Sequence, residues 1–285
     1  MAPVAIVTDT CHYLPRQLVA ARRIHEVSLY VHWDGREDRE SQLPDFDGYY
    51  RHLAGASALP TTSQPSIGDF LSVWEPLLDD GREIVSIHLA GGISGTVGAA
   101  QQARETLGER AERVHVLDSS SACGGEGLVV LAAQTAAARG ITAAEVVAHA
   151  REARAALKMW FAIDTLEYLR RGGRIGTAQA WLGSALKIKP ILTLEEEITP
   201  VERVRTSGRA FERLVDYLRT RKDDGADGWV IQHIQAPEEC ARLVERGREI
   251  FGTDPVFVSE IGPVIGTHVG PGLLGAGGIP LRYLS

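Results

Sequence analysis

The alternation of apolar and polar positions divides the first half of the chain into short strands and amphipathic helices. Val4 to Val7 is an apolar run ending in Thr8-Asp9-Thr10, and Pro15 opens a helix behind it. Val27, Leu29, Val31 and Trp33 alternate with Ser28, Tyr30 and His32, the period of a strand, and Asp34-Gly35 is a hairpin turn. Asp45 to Leu53 reads as helix. Leu59 to Ser66 carries prolines at both ends and must run extended, while Ser66 with Asp69 matches a capping box for the next helix. Ile84 to Leu89 is a strand, followed by the glycine-rich turn Ala90 to Thr96 and a helix to about Leu107. Val114 to Leu117 is another strand. Cys123 to Gly127 leads into an alanine-rich helix to about Arg139, and Thr142 with Glu145 caps a further helix to about Leu157. Strands alternating with helices imply a parallel sheet with helices on both faces.

Beyond residue 157 the pattern changes. Lys158 to Ile163 is a strand opening a second domain. Asp164 or Thr165 caps a short helix that Gly172 ends, with Arg170 and Arg171 in its last turn, where the helix dipole favours positive charge. Thr177 to Leu186 has helical spacing. Pro190 forbids a helix, so Ile191 to Leu194 and Ile198 to Arg205 read as two strands joined by a turn at Glu195 to Glu197. A helix from Arg209 to Lys222, a strand from Trp229 to Ile234, a helix opening near Pro237 and a strand from Val256 to Ile261 follow. The tail bearing His268 is too rich in glycine and proline for a helix or long strand.

Composition narrows the function classes. With 285 residues, 44% hydrophobic and 24% charged, the chain can bury a core in one large or two medium domains. A net charge of −7 argues against nucleic acid or anionic membrane as the main partner. Three widely spaced cysteines suggest neither a disulfide framework nor a zinc site. The N-terminal apolar run is too short for a signal peptide or a membrane span, and a reduced, cytoplasmic location is expected.

Candidate chemistry collects at strand ends. Asp9 either offers a ligand group or caps the next turn. Thr62 and Ser63, held between stiff prolines, suit the orientation of an anion. The turn from Ala90 to Thr96 points backbone N–H groups toward an anion in the same way. It is not a P-loop, because no Lys-Ser/Thr pair follows the glycines. It also misses the G-x-S-x-G nucleophile elbow, since Thr96 follows Gly95.

Ordered blocks carry a more specific signal. T-D-T at Thr8, T-S-Q-P-S from Thr62, I-S-G-T from Ile93, L-E-Y-L-R-R-G-G-R-I from Leu166, L-x-I-K-P-I-L from Leu186, R-V-R-T from Arg203 and I-G-P-V-I-G-T-H-V-G-P-G from Ile261 resemble the DegV family of bacterial proteins over residues 4 to about 281. Tyr13 departs from the family pattern, where an acidic residue is common. So do Ala90 and Gly91, where serine is more frequent, and Val97, where an aromatic is usual.

The resemblance implies a two-domain α/β fold: an N-terminal three-layer α/β/α domain on a parallel sheet (1–157) and a C-terminal two-layer α/β domain on a mixed sheet (158–285). It further implies one long-chain fatty acid, such as palmitate or oleate, enclosed between the domains. Family members include acyl-binding subunits of the bacterial fatty-acid kinase, which present the carboxylate to a separate ATP-using catalytic subunit. On that resemblance Thr62, Ser63, Ser94, the Gly95 backbone and His268 hold the carboxylate, with Arg205 as a further member. Arg170, Arg171 and Arg174 face the kinase. No catalytic residue, metal or cofactor is implied. Two rival readings are a covalent enzyme using Ser94 or His268, like the related dihydroxyacetone kinases, and a lipid sensor without a kinase partner.

Overall fold

The first apolar run becomes β1 (Val4–Asp9), at the centre of the computed structural model, which describes residues 2–43, 45–56, 58–182 and 188–285. Helix α1 (Arg16–Arg22) leads to β2 (His25–Val27), which pairs in parallel with β1. The alternating stretch expected as one strand from Val27 to Trp33 is split. Its second part, β3 (Tyr30–Trp33), belongs to a separate antiparallel sheet with β4 (Arg36–Arg39). The break falls where side chains capture the backbone. Ser28 Oγ donates to Leu29 O at 2.9 Å, and Thr10 Oγ1 accepts from Leu29 N at 3.3 Å. The Asp34-Gly35 hairpin forms as expected, both residues having positive φ.

Helix α2 (Asp47–Gly55) follows, and the proline-flanked segment then supplies β5 (Thr61–Ser63), the third strand beside β3. Helix α3 (Ile67–Asp79) starts at the Ser66–Asp69 capping box. β6 (Glu83–His88), α4 (Thr96–Thr106), β7 (Val114–Asp118), α5 (Cys123–Ala138) and α6 (Ala143–Ala156) complete a four-stranded parallel sheet in the order β2-β1-β6-β7. Alternate residues of β1 explain its layers. Ala5 and Val7 pack with Phe70 and Trp74 of α3 and Ala100 of α4, whereas Ile6 packs with α5 and α6.

The rest of the chain builds a six-stranded mixed sheet. β8 (Lys158–Ala162) precedes α7 (Glu167–Gly172), in which Thr165 Oγ1 accepts from Glu167 N and Gly173 forms the left-handed C-cap. Only a 3₁₀ turn over Gly176–Trp181 occupies the start of the helical pattern expected from Thr177 to Leu186, and residues 183–187 lie outside the described residues. β9 (Lys189–Leu194) and β10 (Ile198–Val204) form the expected hairpin. Helix α8 (Ser207–Asp223), β11 (Gly228–His233), α9 (Pro237–Phe251) and β12 (Phe257–Glu260) follow.

The tail corrects the sequence reading. It forms helix α10 (Pro263–Val269) and then β13 (Leu274–Ile279), an interior strand in the order β10-β9-β8-β13-β11-β12. Its glycines are required by close approach: a Cβ on Gly277 would overlap the Lys158 carbonyl, and one on Gly278 would crowd the Gly228 carbonyl. α8 and α9 cover one face of this sheet through Phe211, Leu214 and Leu243. Helix α5 packs on the other face, against Val230, Phe257 and Ile279, while its opposite side packs on β1 and β6. One largely apolar helix, buried on both sides, therefore lies between the two sheets.

Candidate functional site

Where the loops after β6 and β7 meet α10 and the face of β8 and β13, the two halves leave a cavity. It holds about 990 Å³ of atom-free space, part of it open to solvent. Leu29, Leu89 and Ile93 enter from the first half, and Phe161, Leu194, Ile261, Ile265 and Leu273 from the second. Most of the wall is aliphatic or aromatic, so its chemistry resides in a few polar groups.

The best-defined of these is a pair. Thr62 on β5 and His268 in the last turn of α10 meet with Oγ1 and Nε2 2.7 Å apart. Both line this cavity and a second cleft outside it, formed with Leu59, Pro60, Arg171, Gly172 and Arg174. The pair thus stands where the tunnel meets the surface. Burial, reinforced by the Arg174 charge, holds the His268 imidazole down to about 4, so the ring is neutral near pH 7. Its Nδ1 is buried and has no partner among the described residues, an incomplete hydrogen-bond set of the kind that a ligand or water completes. Gly172 lets this ring fit, since a Cβ there would overlap Nδ1.

The elements that place this pair come from distant parts of the chain. Glu40 Oε1 accepts from Tyr13 Oη at 2.9 Å and from Val264 N, in the first turn of α10, at 2.8 Å. Ile265 N donates to Tyr13 Oη at 3.3 Å, and Tyr49 Oη bonds Thr267 Oγ1. Tyr13 therefore has a role that the sequence did not reveal: with Glu40 it anchors the helix that carries His268. Burial pushes the Glu40 carboxyl up to about 7, although hydrogen bonds from Val264, Thr10 and Tyr13 oppose the shift.

The remaining expected residues divide. Ser63 and Ser94 line the cavity, but Ser63 Oγ already bonds His32 Nε2 at 2.9 Å. Ser94 Oγ lies 2.9 Å from Thr96 Oγ1 and accepts from Thr96 N at 3.2 Å, at the start of α4. Gly95 caps that helix and lines the cavity; a Cβ there would meet the Gln64 side chain. Arg205 is not part of this constellation. It lies exposed in the bend after β10 and lines none of the described cavities, while neighbouring Thr206 caps α8 by accepting from Arg209 N at 3.1 Å.

Arg170 and Arg171 are exposed and share Glu167, through bonds of 2.7–2.9 Å and 2.5 Å respectively. Arg174 donates to Gly172 O at 2.7 Å and lines both the tunnel end and the outer cleft. Asp9 resolves as a structural group. It accepts from Cys11 N and Leu89 N, each at 3.0 Å, and lies 3.1 Å from His88 Nδ1, fully buried.

Sequence reasoning missed several lining residues. Gln64, Ser121, Cys123, Gln232 and Gly275 all face the cavity. Gln64 lies within the T-S-Q-P-S block, and Ser121 stands just before the glycine-rich start of α5. Gln232 and Gly275 sit in strands whose facing could not be fixed while β13 was unrecognised. Among the described residues no group of three or more His, Cys, Asp or Glu could hold a metal ion, and no helix is long and apolar enough to cross a membrane.

Comparison with known proteins places these features. The family described as "Uncharacterised protein, DegV family" matches residues 3–281. A DegV domain-containing protein of Streptomyces coelicolor is 38% identical over 275 residues, covering 95% of this chain and 96% of the relative. Two solved structures superpose with a TM-score of 0.87. One is a DegV family protein of Thermus thermophilus described for its fatty acid binding, 32% identical, covering 98% of this chain and 100% of that one. The other is DegV of Bacillus subtilis, described as a fatty acid binding protein, 31% identical, covering 97% and 99%. The parallel sheet, the mixed sheet and nearly the full length are shared, and the chain belongs to the DegV family.

Proposed function

We propose that this protein binds one long-chain fatty acid in the cavity between residues 1–157 and 158–285, taken as its two domains. The observation that carries this reading is a largely apolar cavity that shares a histidine–threonine pair and Arg174 with a cleft outside it. The acyl chain lies against Leu89, Phe161, Ile265 and Leu273. Its carboxylate lies at Thr62, Ser94, the Gly95 N–H and His268, with Ser63 supporting them. A chain of about fifteen CH₂ groups contributes on the order of 12 kcal/mol gross, much of it offset by lost ligand freedom. The tail therefore supplies affinity, and the polar end sets direction.

That direction turns the carboxylate toward the outer cleft, as presentation to a separate fatty-acid kinase requires. The protein is on this reading a carrier, and acyl-phosphate formation takes place in the partner. The geometry favours the carrier over a covalent enzyme. Ser94 Oγ is engaged with Thr96, and His268 Nε2 with Thr62, so Ser94 and His268 do not pair with each other. Displacement of a fluorescent fatty acid by palmitate or oleate tests the reading. Saturable one-to-one displacement supports it, and no displacement by either acid refutes it.

A further inference from the structure

The cavity wall carries further polar residues besides the Thr62–His268 pair. Ser121, in the loop after β7, lines the cavity beside Cys123 and Gln232, at the start of α5. Ser121 is 2% exposed, and its main chain is fully used: N donates to Ser119 Oγ at 3.2 Å and O accepts from Ala90 N at 2.7 Å. Its hydroxyl has no partner among the described residues. Packing fixes that hydroxyl, because a Cβ on Gly125 in the first turn of α5 would overlap Ser121 Oγ.

Gln232, 1% exposed, is bonded differently: its carbonyl accepts from Gly124 N and its amide donates to Ser259 Oγ at 2.8 Å. The amino end of α5, 16 residues long, also favours an electron-rich atom nearby. A saturated chain lying along this wall would cover the Ser121 hydroxyl without satisfying it, which is unfavourable in a dry site. A chain carrying its own hydroxyl there would satisfy both groups.

We propose that the tunnel is suited to a hydroxylated long-chain fatty acid, with Ser121 as the residue that recognises the chain hydroxyl. This inference rests on the fatty-acid reading above. The test is competition binding with stearate and a series of hydroxystearates bearing the hydroxyl at successive positions, on the wild type and on Ser121→Ala. One position is expected to bind about tenfold tighter than stearate. Ser121→Ala should erase that preference, so that the favoured hydroxystearate and stearate bind the variant equally. Three results would overturn the proposal: no preferred position in the wild type, a preference that survives the substitution, or weaker stearate binding by the variant, which would assign Ser121 to the carboxylate end. The wild-type series decides even if the variant fails to fold. Failure of every acid to bind would instead remove the fatty-acid reading itself.

Discussion

On the proposed reading a hydroxyl and an imidazole hold the ligand's carboxylate, and the hydroxyl lends itself to a direct test. Thr62 bonds His268 and, on the proposed reading, donates to the ligand's carboxylate. A hydrogen bond to a charged group contributes about 1.5–3 kcal/mol. We therefore expect Thr62→Ala to weaken fatty-acid binding by about ten- to a hundredfold, with little change in thermal unfolding and substantial rescue in Thr62→Ser. Equal affinity of Thr62→Ala and wild type in a displacement assay would place the carboxylate elsewhere.

Glu40 offers a pH test. Its folded pKa is raised to about 7 by burial, so the folded state retains a proton that the unfolded chain releases in the ordinary carboxylate range. Stability then falls as pH rises from that range and levels off above about 7. Glu126, also raised by burial, adds the same trend. Glu40→Gln should lose less stability than the wild type between about pH 5 and pH 8, as read by denaturant unfolding. Parallel pH curves for the two proteins would count against an ionising Glu40.

At the same scale the sequence was most informative where a motif was local. Ser94 and Gly95 are held by a turn and a helix cap within a few residues of themselves, whereas Thr62 and Ser63 lie on β5 and bond the distant His268 and His32. Tyr13 and Glu40 were invisible as functional support because their partner, α10, begins more than 220 residues from Glu40.

The elements that misled the sequence reading are those whose form depends on distant packing. β13 lacks β-branched periodicity because neighbouring backbones leave little room for side chains, so its glycines read as a loop. α10 is too short to stand alone and depends on Glu40 at its amino end. The stretch from Val27 to Trp33 has a strand's alternation throughout, yet it divides because Thr10 and Ser28 take over its backbone groups. By contrast, both capping boxes and the parallel βα repeats were legible from spacing alone.

β13 also supplies a prediction. A Cβ on Gly275 would meet Phe161 Cβ at 3.6 Å and Leu273 Cδ2 at 3.7 Å, ordinary contacts, in a residue that lines the cavity. Gly275→Val should fold, and its branches should occupy space needed by the acyl chain. Fatty-acid affinity is expected to drop by about tenfold or more with an unchanged circular dichroism spectrum. Undiminished affinity would show that the chain does not pass β13.

For the molecule as a whole, the interface between halves creates the cavity, and no local pattern could outline it. The family blocks marked its polar end, while the apolar wall emerged only when both sheets were assembled around α5. The charge arrangement around the mouth bears on the proposed partner. Glu167 offsets Arg170 and Arg171, which leaves Arg174 as the cation common to the tunnel end and the outer cleft. Exposed charges mainly steer association and are screened by salt. With a fatty-acid kinase catalytic subunit, Arg174→Ala should slow acyl-phosphate formation more than it weakens fatty-acid binding, most clearly at low ionic strength. Identical rates for variant and wild type across all salt concentrations would remove Arg174 from partner docking.

The central claim is that this cavity is built for an acyl chain. It is tested most directly by mass spectrometry of a solvent extract from the denatured protein after purification from a bacterial host, followed by reloading of the delipidated protein. We expect a long-chain fatty acid in roughly one-to-one amount, and a delipidated protein that takes up one equivalent of added acid. An extract without fatty acid, together with no uptake of palmitate or oleate, would contradict it.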